Sequence, residues 1–201
     1  MFDQAWRPFF LAHAKDSDAK DTFAKVLSFF FALGSWFLLG ISFLMPDIIQ
    51  SNLFGSFHLI NPNYWGGLKI IPLIVTGYFF YGLYINFMVG PVLTKKTRVL
   101  MWITLLGAVV SITTNLCLVP RWGIIGAGWA VALSYAAMAS ALFAFTQKVY
   151  PIGYEYKKLM LMSAVCVATV LAACYWHQAV WAEVILLTLY PAWMGLILKK
   201  A

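Results

Sequence analysis

The sequence predicts an all-α membrane protein, a polytopic bundle of about six transmembrane helices with a partial helix at the N-terminus. Two observations predict this class. The 201 residues are 63% hydrophobic and 10% charged, with a mean hydropathy of +0.82, outside the range of soluble globular domains. In addition, six apolar runs are long enough to cross roughly 30 Å of hydrocarbon as helices. These runs cover residues 26–45, 71–93, 99–119, 126–146, 159–176 and 180–198.

The placement of positive charges predicts the topology. With alternating spans, twelve of the fourteen Lys and Arg residues fall on one side of the bundle, and only Lys69 and Arg121 fall on the other. Cytoplasmic loops of membrane proteins are enriched in Lys and Arg, so the N-terminal segment, the even-numbered loops and the C-terminus are expected to be cytoplasmic. The net charge of +7 is therefore explained by topology and does not indicate a nucleic-acid partner. We expect a multi-pass protein of the cell inner membrane, with the lipid bilayer as its immediate partner.

The chain divides into three predicted regions. Residues 1–24 comprise the end of a truncated span, MFDQAWRPFFLA, followed by a cytoplasmic loop of alternating acids and bases. This first stretch is too short to cross a membrane and could equally be an interfacial helix. Residues 25–147 form a four-span core, and residues 148–201 contain two additional C-terminal spans.

The second span contains most of the polar candidates. Gly77 and Gly82 interrupt it, and it carries Tyr78, Tyr81 and Asn86. Glycine interruptions near the middle of a span indicate a substrate path in transporters. Close helix packing, with the tyrosines bonded to a neighbouring helix, explains the same pattern, so both interpretations stay open.

A break is predicted between the third and fourth spans, at Pro120, Gly123 and Gly126. Proline interrupts a helix and the glycines allow the chain to turn over at once. Gly126 and Ala130 then form a stripe of small residues that lets a neighbouring helix approach closely. Asn115 lies just before the break, where it either caps the helix end or lines a cavity.

The spans lack the residue patterns of an enzyme. None has an Asp, Glu, Lys or Arg at its centre, and paired carboxylates, a His cluster, metal-ligand spacings and a phosphate-binding glycine loop are all absent from the sequence. We therefore expect no enzymatic activity, no catalytic residue, no metal site and no cofactor. A glycosyl- or acyltransferase would need an acid–base pair that substrate can reach.

Four motifs follow one another in an order that resembles a known transporter family. They are A-W-R-P-F near the N-terminus, the run YWGGLKIIPLIVTGYFFYGLYINFMVGPVLTKKTR, the break TTNLCLVPRWGIIGAGWAVALSY, and the turn FTQKVYPIGYEYKKL. Together they resemble the polysaccharide-transport (oligosaccharide or O-antigen flippase) family of the multidrug/oligosaccharidyl-lipid/polysaccharide exporter superfamily. The resemblance covers about residues 1–160. The break motif points to the superfamily, and the whole series points to this branch.

The resemblance implies a fold of two six-helix lobes that face each other across a central cavity, often with two extra C-terminal helices. Residues 1–12 would then end the second helix of the second lobe. The next four spans would be the third to sixth helices of that lobe, and the last two spans would be the extra pair. The first lobe is absent from this sequence, so the chain is expected to be a fragment, a truncated gene product, or a C-terminal half that pairs with that lobe or with another copy.

The activity implied by the resemblance is alternating-access translocation of a polyprenyl-diphosphate-linked oligosaccharide, for lipopolysaccharide or other surface polysaccharide. Such a substrate needs cationic groups for its phosphates and amide or aromatic groups for its sugars. Arg7 is explained equally well as a phosphate ligand or as an ordinary cytoplasmic anchor. The substrate-binding candidates are Arg7, with Gln4 one turn away, and the polar residues Tyr78, Tyr81, Asn86 and Asn115.

The sequence leaves three alternative functions. A drug exporter of the same superfamily should show an acidic residue inside a span, and a lipid-linked peptidoglycan-precursor flippase should show more cavity cations. A non-transporting membrane scaffold or a truncated remnant is the alternative from a different functional class, because half a transporter could serve only as a subunit.

Overall fold

The computed structural model describes residues 2–50, 61–175 and 180–199, and within these ranges the chain is helical and contains no strand. The all-α prediction is thus confirmed for the part of the chain that is described. In order, the elements are α1 (Phe2–Ala12), α2 (Ala19–Gln50), a 3₁₀ helix (Pro62–Ile70), α3 (Ile71–Phe87), α4 (Val89–Leu93), α5 (Arg98–Val149), α6 (Tyr156–Tyr175) and α7 (Val180–Lys199).

Three helical stretches of the described chain are long and apolar enough to cross a membrane: Ala19–Ile49, Asn63–Leu93 and Arg98–Val149. In the third stretch, only 11% of the most apolar window is buried, so most side chains of that window form outer surface. Leu116 and Trp102, for example, are 72% and 63% exposed. Large contiguous apolar surface is unusual on a soluble monomer and suits contact with lipid. The structure is therefore compatible with a membrane location.

Helix α2 extends beyond the predicted first span, which ends at residue 45. The helix passes through Pro46 and ends at Gln50. A proline removes one backbone hydrogen bond but does not end a helix whose flanking turns stay intact. Residues 51–60 of the predicted outer connection lie outside the described residues.

Helix α5 consists of two helices joined by a kink at Gly123, which has φ 54° and ψ −130°. This backbone conformation is one that side-chain-bearing residues rarely adopt, whereas glycine tolerates it. On either side of the kink, Gly107 packs against Met138, and Gly126 packs against the backbone of Leu118. In each pair, one residue lies about as far before Gly123 in the sequence as the other lies after it. The two halves of α5 therefore pack against each other as an antiparallel hairpin.

The chain forms two compact units. Residues Met1–Leu27 and Thr76–Tyr154 make the first, and Ser28–Val75 and Glu155–Ala201 make the second. The predicted division at residues 24 and 147 follows the order of the spans, and it stays a prediction.

In the first unit α4 packs against α5 and also contacts α1. A Cβ atom on Gly90 would lie 2.6 Å from Cγ2 of Thr146, so the two helices touch at this point. Thr146 is fully buried, and its hydroxyl donates a 2.7 Å hydrogen bond to the carbonyl of Phe87. Near the end of α5 the Lys20 ammonium lies 5.0 Å from the centre of the Tyr150 ring, and burial raises the pKa of the Tyr150 hydroxyl. These contacts fix α3 and α4 against the second half of α5.

The second unit has its own core, in which α7 packs against α6 and against the part of α2 that belongs to this unit. The Tyr190 hydroxyl donates a 2.8 Å hydrogen bond to Oγ of Ser35. The Trp36 indole donates to the carbonyl of Leu187 at 3.0 Å. Such cross-helix bonds stabilise packing where apolar contacts alone give little preference between helix and lipid.

Candidate functional site

A cavity of about 530 Å³ lies within the first unit. Helix α1 contributes Asp3 and Arg7 to its wall, and α3 contributes Tyr81 and Tyr84. Residues of α3 and of the turn after it line the cavity at positions i, i+3, i+4 and i+7, which is the spacing of one helix face. The wall is therefore built from one face of each helix, with the polar groups brought together by the packing.

The two halves of α5 complete the wall. The first half contributes Thr104 and Ser111, and the second half contributes Ser134 and Tyr135. Thr104 and Ser134 donate their hydroxyl hydrogens to carbonyls of their own helix, at 2.8 and 3.0 Å. Their oxygen lone pairs can accept further hydrogen bonds, and the hydroxyl of Thr104 already interacts with that of Tyr84. The hairpin thus lines the cavity with hydrogen-bond acceptors, and the hydroxyl donors of Thr104 and Ser134 are both satisfied.

Arg7 and Asp3 form an ion pair on α1, with 2.8 Å between Nε of the arginine and Oδ1 of the aspartate. Their side chains are 52% and 35% exposed. Since Nε is used, the other four N–H donors of the guanidinium form no hydrogen bond within the described chain. An ion pair this exposed contributes only about 0–1 kcal/mol to stability, so an anionic ligand can compete with the aspartate for the arginine.

Four tyrosine rings form a continuous row, and three of them, Tyr81, Tyr84 and Tyr135, line the cavity. The ring centroids of Tyr78 and Tyr135 are 6.1 Å apart, those of Tyr135 and Tyr81 are 5.1 Å apart, and those of Tyr81 and Tyr84 are 6.1 Å apart. These separations are typical of favourable aromatic pairs. Tyr78 is 60% exposed, whereas Tyr84 is 7% exposed, so the row runs from an open end to a buried end.

The structure brings together some of the residues predicted for the site. Arg7 and Tyr81 line the same cavity, and Tyr78 joins it through contact with Tyr135. Gln4 is exposed on α1 and is not among the lining residues. The predicted cation and one predicted tyrosine, Tyr81, therefore line one cavity, and Tyr78 contacts its wall without lining it.

The two predicted asparagines do not line the cavity. Asn86 is 3% exposed, and its amide donates a 3.0 Å hydrogen bond to the carbonyl of Gly82 in its own helix. Asn115 donates at 2.8 Å to the carbonyl of Ser111, which itself lines the wall. Each asparagine thus donates to its own helix, while the buried Oδ1 of Asn86 has no hydrogen-bond partner in the described chain. A substrate-binding role for either residue stays a prediction.

Sequence reasoning did not single out Asp3, Tyr84, Ser134 or Tyr135. Two of them carried a local signal, because Asp3 precedes Arg7 by four residues and Tyr84 follows Tyr81 by three. Both spacings place side chains on one helix face. Ser134 and Tyr135 carried none, since their proximity to the site depends on how the hairpin folds back.

The predicted break residues act through that hairpin. Pro120 lies inside α5, Gly123 holds the kink, and Gly126 packs against the returning backbone. None of the three lines the cavity. Their effect is to bring the second half of α5 back so that Tyr135 and Ser111 share one wall.

Among the described residues, no group of three or more His, Cys, Asp or Glu side chains could hold a metal ion. No protein-family model matches the sequence, and no curated protein or solved structure matches the chain.

Proposed function

We propose that the chain is the second lobe of a flippase that translocates a polyprenyl-diphosphate-linked oligosaccharide across the cytoplasmic membrane. The observation that carries this proposal is the cavity that places Arg7 beside a row of tyrosines and several hydroxyls inside an otherwise apolar helical bundle. Apolar helices need no such cavity for stability. A half-exposed arginine at this position is costly unless it meets water, another protein segment or a polar ligand.

The arginine suits the diphosphate. A guanidinium presents its donors in a fork that matches phosphate oxygens, and such charge-assisted bonds are stronger than neutral ones. Asp3 holds Nε of Arg7 at 2.8 Å. We infer that a diphosphate binds to the remaining N–H donors and weakens the pair with Asp3. After translocation, Asp3 competes for the arginine again and favours release.

The tyrosine row suits the sugars. Aromatic faces bind the apolar C–H faces of pyranose rings, and the acceptor oxygens of Thr104 and Ser134 suit sugar hydroxyl donors. Tyr78, at 60% exposure, lies at the open end of the row. The oligosaccharide would therefore extend from the arginine along the tyrosines.

We also propose the number of spans, their orientation and the arrangement of the lobe. The two halves of α5 would be two spans, so that the chain has six spans in all, with both termini cytoplasmic, as the distribution of Lys and Arg suggests. The arrangement would be that of the second lobe of a multidrug/oligosaccharidyl-lipid/polysaccharide exporter. Because Arg7 is the cation of the described cavity wall and Asp3 partly neutralises it, we propose that further cations come from a first lobe or another copy.

We propose a transporter rather than an enzyme because the described cavity wall contains one carboxylate, Asp3, and neither His nor Cys. A hydrolase or transferase would need a second group in reach of the same substrate atom. The cavity wall instead offers donors, acceptors and aromatic faces, which bind without reacting.

The test is an Arg7→Ala substitution in the full-length protein in its own cell. Removal of a charged hydrogen-bonding group from a binding site costs about tenfold or more in affinity. We expect surface-polysaccharide display to fall by that factor while the level of the protein is unchanged. The lipid-linked precursor should accumulate in the cytoplasmic leaflet.

Arg98→Ala is the matched control. Arg98 is exposed at the start of α5 and does not line the cavity, so its loss should leave display unchanged. Normal display with Arg7→Ala would remove Arg7 from the site and would favour the scaffold alternative. An accumulation of peptidoglycan precursor instead would favour the related peptidoglycan-precursor flippase.

A further inference from the structure

A second groove, of about 400 Å³, lies in the second unit and is lined by α6 and α7. Two adjacent lysines, Lys157 and Lys158, lie at the start of α6 and line one end. The rest of the wall is apolar and includes Leu161, Val165 and Trp193. The groove is therefore cationic at one end and apolar along its length.

The spacing of the α6 residues explains this polarity. Lys157, Leu161 and Val165 follow one another at four-residue intervals, so they form one stripe on the helix. With a rise of 1.5 Å per residue, the stripe is about 12 Å long. The opposite wall carries Trp193 and Leu196, each 58% exposed. A length of 12 Å matches the upper part of an acyl chain beneath its headgroup.

The lysine end carries a net positive charge. Lys158 pairs with Glu155, with 2.7 Å between Nζ and Oε1. The other carboxylate oxygen of Glu155 accepts a 3.1 Å hydrogen bond from Ser28, which is buried. Glu155 is thus held from two sides and fixes Lys158 at the groove. Lys157 is exposed and forms no ion pair within the described chain, so the two lysines and one glutamate leave one uncompensated positive charge.

We propose that this groove binds an anionic phospholipid, with its phosphate at Lys157 and Lys158 and an acyl chain along Leu161 and Val165, against Trp193. Basic residues at the ends of membrane helices bind acidic headgroups, and tryptophan is enriched at the membrane interface. The site rests on the proposed topology, which places the Lys157 turn at the cytoplasmic leaflet. It is independent of the cavity that contains Arg7, which belongs to the first unit.

The test measures which phospholipid stays bound to the purified full chain. The protein is exchanged into an equimolar mixture of phosphatidylglycerol and phosphatidylcholine, and the retained lipids are counted by native mass spectrometry. We expect retention of phosphatidylglycerol over phosphatidylcholine, and we expect Lys157→Gln with Lys158→Gln to reduce that preference. The reduction should be about fivefold for each lysine removed.

Two matched variants make the result specific. Lys95→Gln with Lys96→Gln removes an adjacent lysine pair that does not line this groove, and should leave the preference intact. Lys157→Arg with Lys158→Arg keeps the charge and should restore retention, which separates binding from misfolding. An equal loss in the Lys95 and Lys96 variant would overturn the proposal, since it would indicate only general attraction to anionic lipid.

A competition experiment distinguishes the lipid from a free anion. Inorganic phosphate and glycerophosphate at millimolar concentration should not displace phosphatidylglycerol, because neither supplies an acyl chain for the apolar wall. Displacement by either one would overturn the lipid assignment. Arg7→Ala should not alter retention, so a failure of the flippase proposal and a failure of the lipid site are distinguishable.

Discussion

Nε of Arg7 donates a 2.8 Å hydrogen bond to Oδ1 of Asp3, one turn earlier in α1, and both side chains line the cavity of the first unit. This pair gives the cavity a cation whose charge is partly compensated when no ligand is present. Because both side chains are partly exposed, the ion pair is weak enough for a phosphate to replace Asp3 as the partner of Arg7.

Replacement of the aspartate should strengthen anion binding. Asp3→Asn keeps the size of the side chain and removes the charge that competes for Arg7. We expect the purified protein to bind a short-chain prenyl diphosphate about two- to fivefold more tightly, the range of an exposed ion pair. Isothermal titration calorimetry measures the change. The double variant Asp3→Asn with Arg7→Ala should lose the gain, and a gain that survives would assign the phosphate to another residue.

The tyrosine row should depend on the ring of Tyr135 and not on its hydroxyl. Tyr135 contacts both Tyr78 and Tyr81, and each aromatic pair contributes about 0.5–1.5 kcal/mol beyond its buried area. Tyr135→Phe should therefore preserve polysaccharide display, and Tyr135→Ala should impair it. Tyr64→Ala serves as the control, because Tyr64 is 72% exposed in the 3₁₀ helix. Equal display from the Phe and Ala variants of Tyr135 would exclude a stacking role.

The hairpin of α5 should require glycine at its kink. Gly123 has a φ of 54°, and a side-chain-bearing residue held in such a conformation costs on the order of 1–3 kcal/mol. Gly123→Ala should lower the midpoint of thermal unfolding in detergent. Gly153→Ala should not, because a Cβ there would meet nothing within 4 Å and its backbone is not in the left-handed region. Equal midpoints for the two variants would argue against the strained kink.

The contact between α4 and α5 should show coupling between Gly90 and Thr146. A Cβ on Gly90 would overlap Cγ2 of Thr146 at 2.6 Å, and overpacking of a tight contact costs about 1–3 kcal/mol. Gly90→Ala should thus be destabilising. Thr146→Ser removes the clashing methyl group but keeps the hydroxyl that donates to Phe87, so it should recover part of the loss. A double-mutant cycle on thermal unfolding measures the coupling, and additive effects would contradict the geometry.

Much of the architecture could be predicted from local patterns. Apolar length and composition are enough to indicate helices, and Gly123 falls within the predicted break between two apolar runs. Arg7 and Tyr81 were identifiable because a cation or a tyrosine is conspicuous beside or within an apolar run. These signals lie within single helices, where the spacing of residues in the sequence shows which side chains share a face.

The residues that line the cavity were harder to predict from the sequence, for a physical reason. Tyr135 and Ser134 reach the cavity only because the chain folds back at Gly123, and no local spacing reports which face then turns inward. Asn86 illustrates the converse. It is polar and sits in the most irregular span, but its amide nitrogen donates to the carbonyl of Gly82 in its own helix, while its Oδ1 accepts no hydrogen bond within the described chain. A polar side chain in lipid can bond to its own backbone as readily as it can line a cavity.

The central claim is that the chain crosses the membrane with its lysine-rich turns on the cytoplasmic side, since both the flippase cavity and the lipid groove depend on that layout. Single cysteines at Lys95, Lys157 and Arg121, in a background without native cysteines, test it with an impermeant maleimide on intact cells. Arg121→Cys should react before permeabilisation, whereas Lys95→Cys and Lys157→Cys should react only after it. Labelling of Lys95→Cys or Lys157→Cys from outside intact cells would contradict the layout, and both proposals would fall with it.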